Sequence, residues 1–182
     1  MLLALAAASF YLGMAKGCTS TGAADRLTAA PRQFECRWAN GSITIDGKAD
    51  EPAWHIAQVI DSFRVPLASN RRTRPARTAT RARLLWDRNY LYFFAEMEDA
   101  DLYADVTEQD AKTWNNDVFE LFFKPDDNKL AYYEFQVNAA NTKFDAFMPS
   151  RGSGGFNRWR HAHELSVESA IVHEGTLNQW QD

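Results

Sequence analysis

Polar side chains that can bind hydroxyl groups recur at alternate positions in the second half of the chain. Glu134, Gln136 and Asn138 are spaced two residues apart, and Glu120 lies in the preceding apolar segment. Carboxylates and amides supply hydrogen-bond acceptors and donors, and they make a poor core because buried polar groups need partners. Trp114 precedes these residues and offers an indole for stacking on apolar C–H surface. The pattern predicts a face that binds a ligand rich in hydroxyl groups, such as a sugar.

Two other interpretations of these residues stay open. In one, the polar face is simply solvated and Trp114 packs on a neighbouring loop. In the other, Glu120 and Glu134 form the carboxyl pair with which a glycoside hydrolase cleaves a glycosidic bond. Alternation along the chain does not determine the distance between the two carboxyl groups. The sequence contains no Gly-x-Ser-x-Gly, P-loop or His-Glu-x-x-His motif.

Acidic and histidine side chains are the candidate metal ligands. Asp99 and Asp101, with Asp105 close behind, follow a long apolar segment. Loops rich in Asp supply the oxygen ligands that calcium prefers, although Asp is also common in ordinary turns. Asp99 and Asp101 are therefore candidate ligands of a structural calcium ion. His161 and His163 lack further zinc ligands that the sequence identifies, so we expect them at the surface.

The first residues of the chain resemble an export signal. The run Leu2–Met14 is almost entirely apolar or small, which is short for a membrane span and typical of a signal peptide. Cys18 follows it closely, as the lipidated cysteine does in a lipoprotein signal. We expect residues 1–18 to be a signal peptide with a short helix, and Cys18 to carry a lipid anchor as the one membrane contact. The alternative is a buried N-terminal helix.

A linker and then a single domain are expected to follow the signal. Residues 19–38 include a stretch rich in Thr, Ala and Gly, which predicts a flexible tether, and residues 39–182 form the domain. If Cys18 is lipidated, Cys36 is a free thiol that packs as a small hydrophobe. Without lipidation, a Cys18–Cys36 disulfide is the alternative.

The elements that must position the polar face are strands. Segments 90–98, 117–124, 131–139, 143–148 and 165–172 predict strands, and the first three alternate clearly. One face of these three carries mainly apolar side chains: Leu91, Phe93, Ala95, Met97, Phe119, Leu121, Phe123, Tyr133, Phe135 and Val137. No amphipathic helix longer than two turns is evident there. The expected fold class is therefore all-β, an antiparallel β-sandwich of immunoglobulin or jelly-roll type.

The segment before these strands has its own local signals. Ile43–Ile45 predicts a short strand that runs into a turn at Asp46 and Gly47. Pro52 marks the start of a one-turn helix that points Trp54 inward. The stretch from Arg71 to Arg83 contains six arginines without interleaved aromatic residues, so we expect a solvated loop that leads into a strand.

Length and composition agree with one globular domain. The chain has 182 residues, of which 46% are hydrophobic and 24% charged, and this excludes wholesale disorder and a polytopic membrane protein. The net charge of −4 argues against a broad surface for nucleic acid. Aromatic residues make up 13%, enough for both a core and an exposed stacking platform.

Several of these segments, taken in order, resemble the family 9 carbohydrate-binding modules. They are Ile43–Trp54, Leu84–Tyr92, Trp114–Glu120 and Glu134–Asn138, with Gly175–Asn178 as a later motif. The resemblance implies a β-sandwich that binds sugar between two tryptophans without cleaving it, and that carries structural calcium. Such modules often accompany glycoside hydrolases. The family pattern continues with a further apolar strand, so we expect this chain to be truncated at its C-terminus.

The resemblance also implies roles for individual residues. Trp114 is the first aromatic wall and Trp180 the candidate for the second, whereas Trp159 is expected to pack. Glu120 and Asn138 match positions that hydrogen-bond sugar hydroxyls. Gln136 stands where members that bind ligand can have an arginine. The implied partner is an oligosaccharide or polysaccharide.

The family's fold is also similar to that of haem-binding sandwiches of secreted cytochromes, and this similarity supplies a further alternative. Met97, Met148, His161 and His163 are the residue types that ligate haem iron. Met97, however, lies on the predicted apolar face, where methionine is usually a core residue. We therefore rank haem binding below sugar binding.

Overall fold

The computed structural model describes residues 2–8, 32–66, 73–153 and 167–179, and for residues 2–8, 66, 73 and 74 the backbone alone. Ten strands lie in these ranges: β1 Leu2–Ala8, β2 Arg37–Trp38, β3 Arg64–Pro66, β4 Thr73–Pro75, β5 Thr80–Trp86, β6 Tyr90–Met97, β7 Val118–Phe123, β8 Tyr132–Asn138, β9 Lys143–Met148 and β10 Val167–Val172. Two short 3-10 helices, Pro52–Ile56 and Thr113–Asn115, accompany them. Over these same ranges the chain forms no α-helix, and none of its helices is long and apolar enough to cross a membrane.

The strands form two main sheets. The larger sheet has the order β10-β1-β6-β5-β2, and the smaller has the order β7-β8-β9. Neighbouring strands are antiparallel except for β2, which runs parallel to β5. Strands β3 and β4 pair separately. The architecture confirms the expected all-β antiparallel sandwich.

The N-terminal signal helix is not confirmed. Leu2–Ala8 form β1, which pairs with β6 along its whole length and with β10 on its other side. Two flanking strands supply the backbone partners that a helix would otherwise find within itself. The remainder of the predicted signal peptide and most of the linker, residues 9–31 with Cys18, lie outside the described residues.

The core between the sheets is built by the predicted apolar face. Phe93 and Ala95 of β6 cluster with Phe135 and Val137 of β8, and all four are at most 3% exposed. Phe119 of β7 stacks on Phe93 with ring centroids 4.8 Å apart. Because side chains alternate across a strand, the opposite faces of β7 and β8 must point away from this core.

A second cluster covers the other face of the larger sheet. Trp54, in the first 3-10 helix, is 1% exposed and packs with Leu85, Tyr92 and Phe94. This confirms the predicted one-turn helix and its inward tryptophan.

The strand predicted at Ile43–Ile45 does not form. The two isoleucines pack beside Trp54, but the Thr44 N–H donates to Glu51 Oε1 at 2.7 Å. A side chain thus takes the hydrogen bond that a neighbouring strand would have accepted.

Candidate functional site

The outer face of the smaller sheet brings the predicted polar residues together. Glu120 of β7 is paired with Gln136 of β8, which is paired in turn with Phe144 of β9. Directly paired residues share a face, so these three side chains form a row across the sheet. In the next row Phe122 and Ala146 flank Glu134. The face is therefore half polar and half apolar.

Trp114 contacts the Phe144 end of this row. It lies in the 3-10 helix Thr113–Asn115, is 36% exposed, and its indole is nearly perpendicular to the Phe144 ring, with centroids 5.4 Å apart. Phe144 itself is 1% exposed. The exposed Glu120 lies at the other end of the row, two strand spacings, or about 10 Å, from Phe144. An aromatic surface and a carboxylate thus flank the same strip of the face.

Between these ends, Gln136 and Glu134 are buried and bonded to each other. Gln136 Nε2 donates to Glu134 Oε1, and Thr113 Oγ1 donates to Gln136 Oε1, both at 2.6 Å. The sequence left three interpretations of this polar face open: a sugar ligand, solvent, or a catalytic pair of carboxyl groups. The structure adds another feature: some of its polar groups satisfy one another.

The two glutamates of this face have raised pKa values. Partial burial raises the pKa of Glu120. Burial raises the pKa of Glu134, the hydrogen bond from Gln136 opposes the rise, and the negative charge of Glu120 adds to it. Each carboxylate therefore loses favourable contact with water, and the two repel each other.

Asn138 is fully buried at the end of β8. Its Nδ2 donates to Val106 O at 2.8 Å and to Asn116 Oδ1 at 3.0 Å. Its Oδ1 accepts from the backbone N–H groups of Ala140 and Thr142. The side chain therefore joins the β8–β9 turn to the loop before the second 3-10 helix.

Two more side chains hold that loop, and the sequence did not single them out as site residues. Asn178 of the Gly-Thr-Leu-Asn motif accepts from Ala104 N at 2.8 Å and donates to Ala104 O at 3.3 Å. Asn116 accepts from Val106 N and donates to Asp105 Oδ1. Asn116 lies two residues after Trp114, and Asn178 ends the Gly-Thr-Leu-Asn motif. These two positions in the sequence were the signals that could have marked them.

The candidate calcium ligand Asp99 lies near the Glu120 end of the row, because both residues line one cleft of about 540 Å³ beside β7. Burial raises the pKa of Asp117, and the negative charges of Asp99 and Asp101 raise it further, which places these three carboxylates in one neighbourhood. Asp117 lines that cleft as well. Within the described part of the chain, no group of three or more His, Cys, Asp or Glu side chains converges to hold a metal ion. These residues do not by themselves make a metal site.

The remaining predicted site residues divide into buried ones and ones the structure does not describe. Met97 packs at the core between the sheets, and Met148 is buried beside Phe144 and Ala146. Neither packing environment favours a haem ligand. Trp159, His161, His163 and Trp180 lie outside the described residues.

A family model and several proteins of known function match this chain. The model described as "Carbohydrate family 9 binding domain-like" matches residues 45–172. An endo-1,4-beta-xylanase A of Thermotoga maritima is 33% identical over 147 residues, which cover 78% of this chain and 12% of the relative. The exoglucanase XynX of Acetivibrio thermocellus is 28% identical over 134 residues, covering 74% and 11%.

The match is confined to a small part of each relative. An endo-1,4-beta-xylanase C of Paenibacillus barcinonensis is 30% identical over 132 residues, covering 72% of this chain and 11% of the relative. The chain thus spans about a tenth of the length of these proteins. No solved structure matches it significantly.

Proposed function

Because the chain belongs to the carbohydrate family 9 binding domain-like family, we propose that the outer face of its smaller sheet binds an oligosaccharide or a polysaccharide chain. The family is one of binding modules rather than catalytic domains, so the module binds sugar without cleaving it. The observation that carries the location is Trp114, an exposed indole that packs on the buried Phe144, in the same row as the exposed carboxylate of Glu120. Sugars combine apolar C–H patches with hydroxyl groups and need both kinds of surface.

The proposed contacts follow from exposure. Trp114 stacks on a sugar ring, and the exposed Glu120 accepts hydrogen bonds from its hydroxyls. Gln136 and Asn138 are 2% and 0% exposed, so we assign them to supporting the site from beneath. Trp180 remains the proposed second aromatic wall.

Isothermal titration calorimetry of the full chain tests this proposal. Xylotriose and cellotriose are suitable probes, since relatives are named xylanases and an exoglucanase. Trp114→Ala is expected to weaken binding at least about 30-fold, because a stacked aromatic at the centre of a site is worth about 2 kcal/mol. Trp38→Ala is the matched control, since Trp38 is also exposed but lies on the other sheet. Unchanged affinity in Trp114→Ala would contradict the site.

Calcium binding at Asp99 and Asp101 is a second, separate part of the proposal. Calcium also accepts backbone carbonyl oxygens, so two or three carboxylates can suffice within a loop. Bound calcium would raise the melting temperature of the full chain relative to a chelator, and Asp99→Asn with Asp101→Asn would remove the difference. Equal melting temperatures in calcium and chelator would count against this assignment.

We also propose that the protein is exported and that it serves the breakdown of polysaccharides alongside glycoside hydrolases. The names of the relatives support the link to polysaccharides. Export rests on the apolar N-terminal run, and its removal as a signal peptide would take β1 from the larger sheet. Lipidation at Cys18 would place the module at a membrane surface. Cys18→Ser should then move the protein from the membrane fraction to the soluble fraction, and an unchanged distribution would exclude the anchor.

A further inference from the structure

Three buried side chains form a continuous hydrogen-bonded chain beneath the proposed sugar site. Gln136 Nε2 donates to Glu134 Oε1 and Thr113 Oγ1 donates to Gln136 Oε1, each at 2.6 Å. Glu134, Gln136 and Thr113 are 6%, 2% and 0% exposed. An ionised carboxylate accepts hydrogen bonds but cannot donate them, so Glu134 determines which way the Gln136 amide points. The amide oxygen is then left to receive the threonine hydroxyl.

This hydrogen-bonded chain ends one residue before Trp114. Thr113 begins the 3-10 helix that carries the indole, and its carbonyl accepts from Asn116 N at 2.9 Å. Gln136 is also paired with Phe144, the residue on which Trp114 rests. Gln136 thus binds the first residue of the helix that bears Trp114, and it lies next to Phe144, whose ring supports the indole.

We propose that Glu134 is a positioning residue for Trp114: it orients the Gln136 amide, which holds Thr113 and with it the turn that presents the indole to sugar. The inference rests on the proposed function, because it names the group that sets up that same site. It assigns a task to a buried carboxylate that makes no proposed contact with the ligand.

Stability alone does not account for a carboxylate at this position. Burial and the charge of Glu120 both raise the pKa of Glu134, so ionisation there works against the fold. A well-packed apolar side chain in place of a buried charge is often neutral or stabilising. Hydrogen bonds to an ionised acceptor are shorter and stronger than neutral ones, which suits a group that must hold an amide in one orientation.

Fluorine NMR of the full chain labelled with 5-fluorotryptophan tests the proposal directly. The chain has six tryptophans, and Trp114→Phe identifies the Trp114 resonance by its loss. Glu134→Leu removes the acceptor, whereas Glu134→Gln keeps an amide oxygen for Gln136. We expect the Trp114 resonance to move or broaden in the leucine variant and to stay in place in the glutamine variant. The Trp38 resonance, on the other sheet, should not change in either.

Calorimetry with xylotriose and cellotriose supplies the second measurement. The comparison uses whichever of the two sugars binds the unaltered chain. Glu134→Leu should bind that sugar about tenfold more weakly than Glu134→Gln does. If neither sugar binds the unaltered chain, the proposed function fails, and the Trp114 resonance still decides the positioning role. An unchanged resonance in a folded Glu134→Leu variant would overturn the inference.

A second pair of variants covers the case in which Glu134→Leu does not fold. Thr113→Val removes the hydroxyl with little change in shape, and Thr113→Ser retains it. Movement of the Trp114 resonance in the valine variant but not in the serine variant would support the hydrogen-bonded chain. A Trp114 resonance that has the same position in the valine variant as in the serine variant would overturn it.

Discussion

At the level of single residues, exposure separates the polar and aromatic groups of the smaller sheet into two sets. Trp114, Glu120 and Phe122 are exposed and can contact a ligand. Glu134 and Gln136 are buried and bonded to each other, so they shape the face from within. Burying a polar group without a partner would cost about 1–3 kcal/mol, and the side-chain hydrogen bonds remove that cost.

Glu134 should leave a signature in the pH dependence of stability. Its folded-state pKa lies above the ordinary value of 4.5, so its contribution to stability is fully present below that pH and is lost as pH rises through the raised pKa. Glu134→Gln cannot ionise. The variant should therefore gain stability relative to the unaltered chain as the pH rises above 4.5, as measured by urea unfolding. A difference that does not vary with pH would contradict the raised pKa.

The thiol of Cys36 should react slowly with thiol reagents. It is a free, half-buried cysteine, and burial raises its pKa from 9.0 to about 11. Near neutral pH this leaves about 100-fold less thiolate, the reactive form. In a Cys18→Ser background, reaction with Ellman's reagent should be about 100-fold slower in the native protein than in guanidinium chloride. Similar rates in both would mean that the thiol is not shielded.

At the level of elements, irregular segments carry as much of the site as the strands do. A one-turn helix presents Trp114, and the loop from Leu102 to Val106 is held by the side-chain amides of Asn116, Asn138 and Asn178. These segments are not paired with a neighbouring strand, so side chains make the hydrogen bonds that their backbone N–H and C=O groups need. The strands supply the flat face and the spacing between its rows.

The turn at Gly47 brings two elements close together. Gly47 has a φ of +84°, and a Cβ there would lie 2.8 Å from Val172 Cγ2 of β10. Gly47→Ala should destabilise the protein by about 2–4 kcal/mol, from backbone strain and from the overlap. Urea unfolding measures the change.

Gly152→Ala provides the control for Gly47→Ala. Its φ of +75° imposes a similar backbone strain, but a Cβ there meets no atom within 4 Å. It should cost only about 1–2 kcal/mol. Equal costs at the two glycines would mean that the contact with β10 is unimportant.

At the level of the whole molecule, the sandwich buries one face of the smaller sheet and presents the other. Phe135 and Val137 point into the core, and the alternate residues Glu134, Gln136 and Asn138 point away from it. The rigid inner face thereby holds the outer face in position. Such a pre-formed site needs little ordering when it binds, which favours affinity.

Sugar should therefore stabilise the folded chain as a whole. A ligand at 100 times its dissociation constant stabilises the native state by about 2.7 kcal/mol. For a domain of this size, that corresponds to a rise of about 5–10 °C in melting temperature. The rise should be absent in Trp114→Ala at the same sugar concentration. An equal rise in that variant would place sugar binding elsewhere on the molecule.

The sequence alone determined which side chains face the core, because alternation is a local property of each strand. The predicted apolar faces around Phe93, Phe119 and Phe135 meet in the core between the sheets. It also indicated the one-turn helix at Pro52, where proline suits the first helical position and Trp54 is buried.

Only the tertiary structure decided which polar groups are already engaged. Gln136 is held by Thr113 and Asn138 by Asn116, partners that lie more than 20 residues away in the sequence. It also showed that Ile43–Ile45 form no strand and that Leu2–Ala8 form one. A hydrogen bond depends on where two distant segments meet, and strand formation depends on whether a neighbour is present. Neither is encoded in the local pattern of side chains.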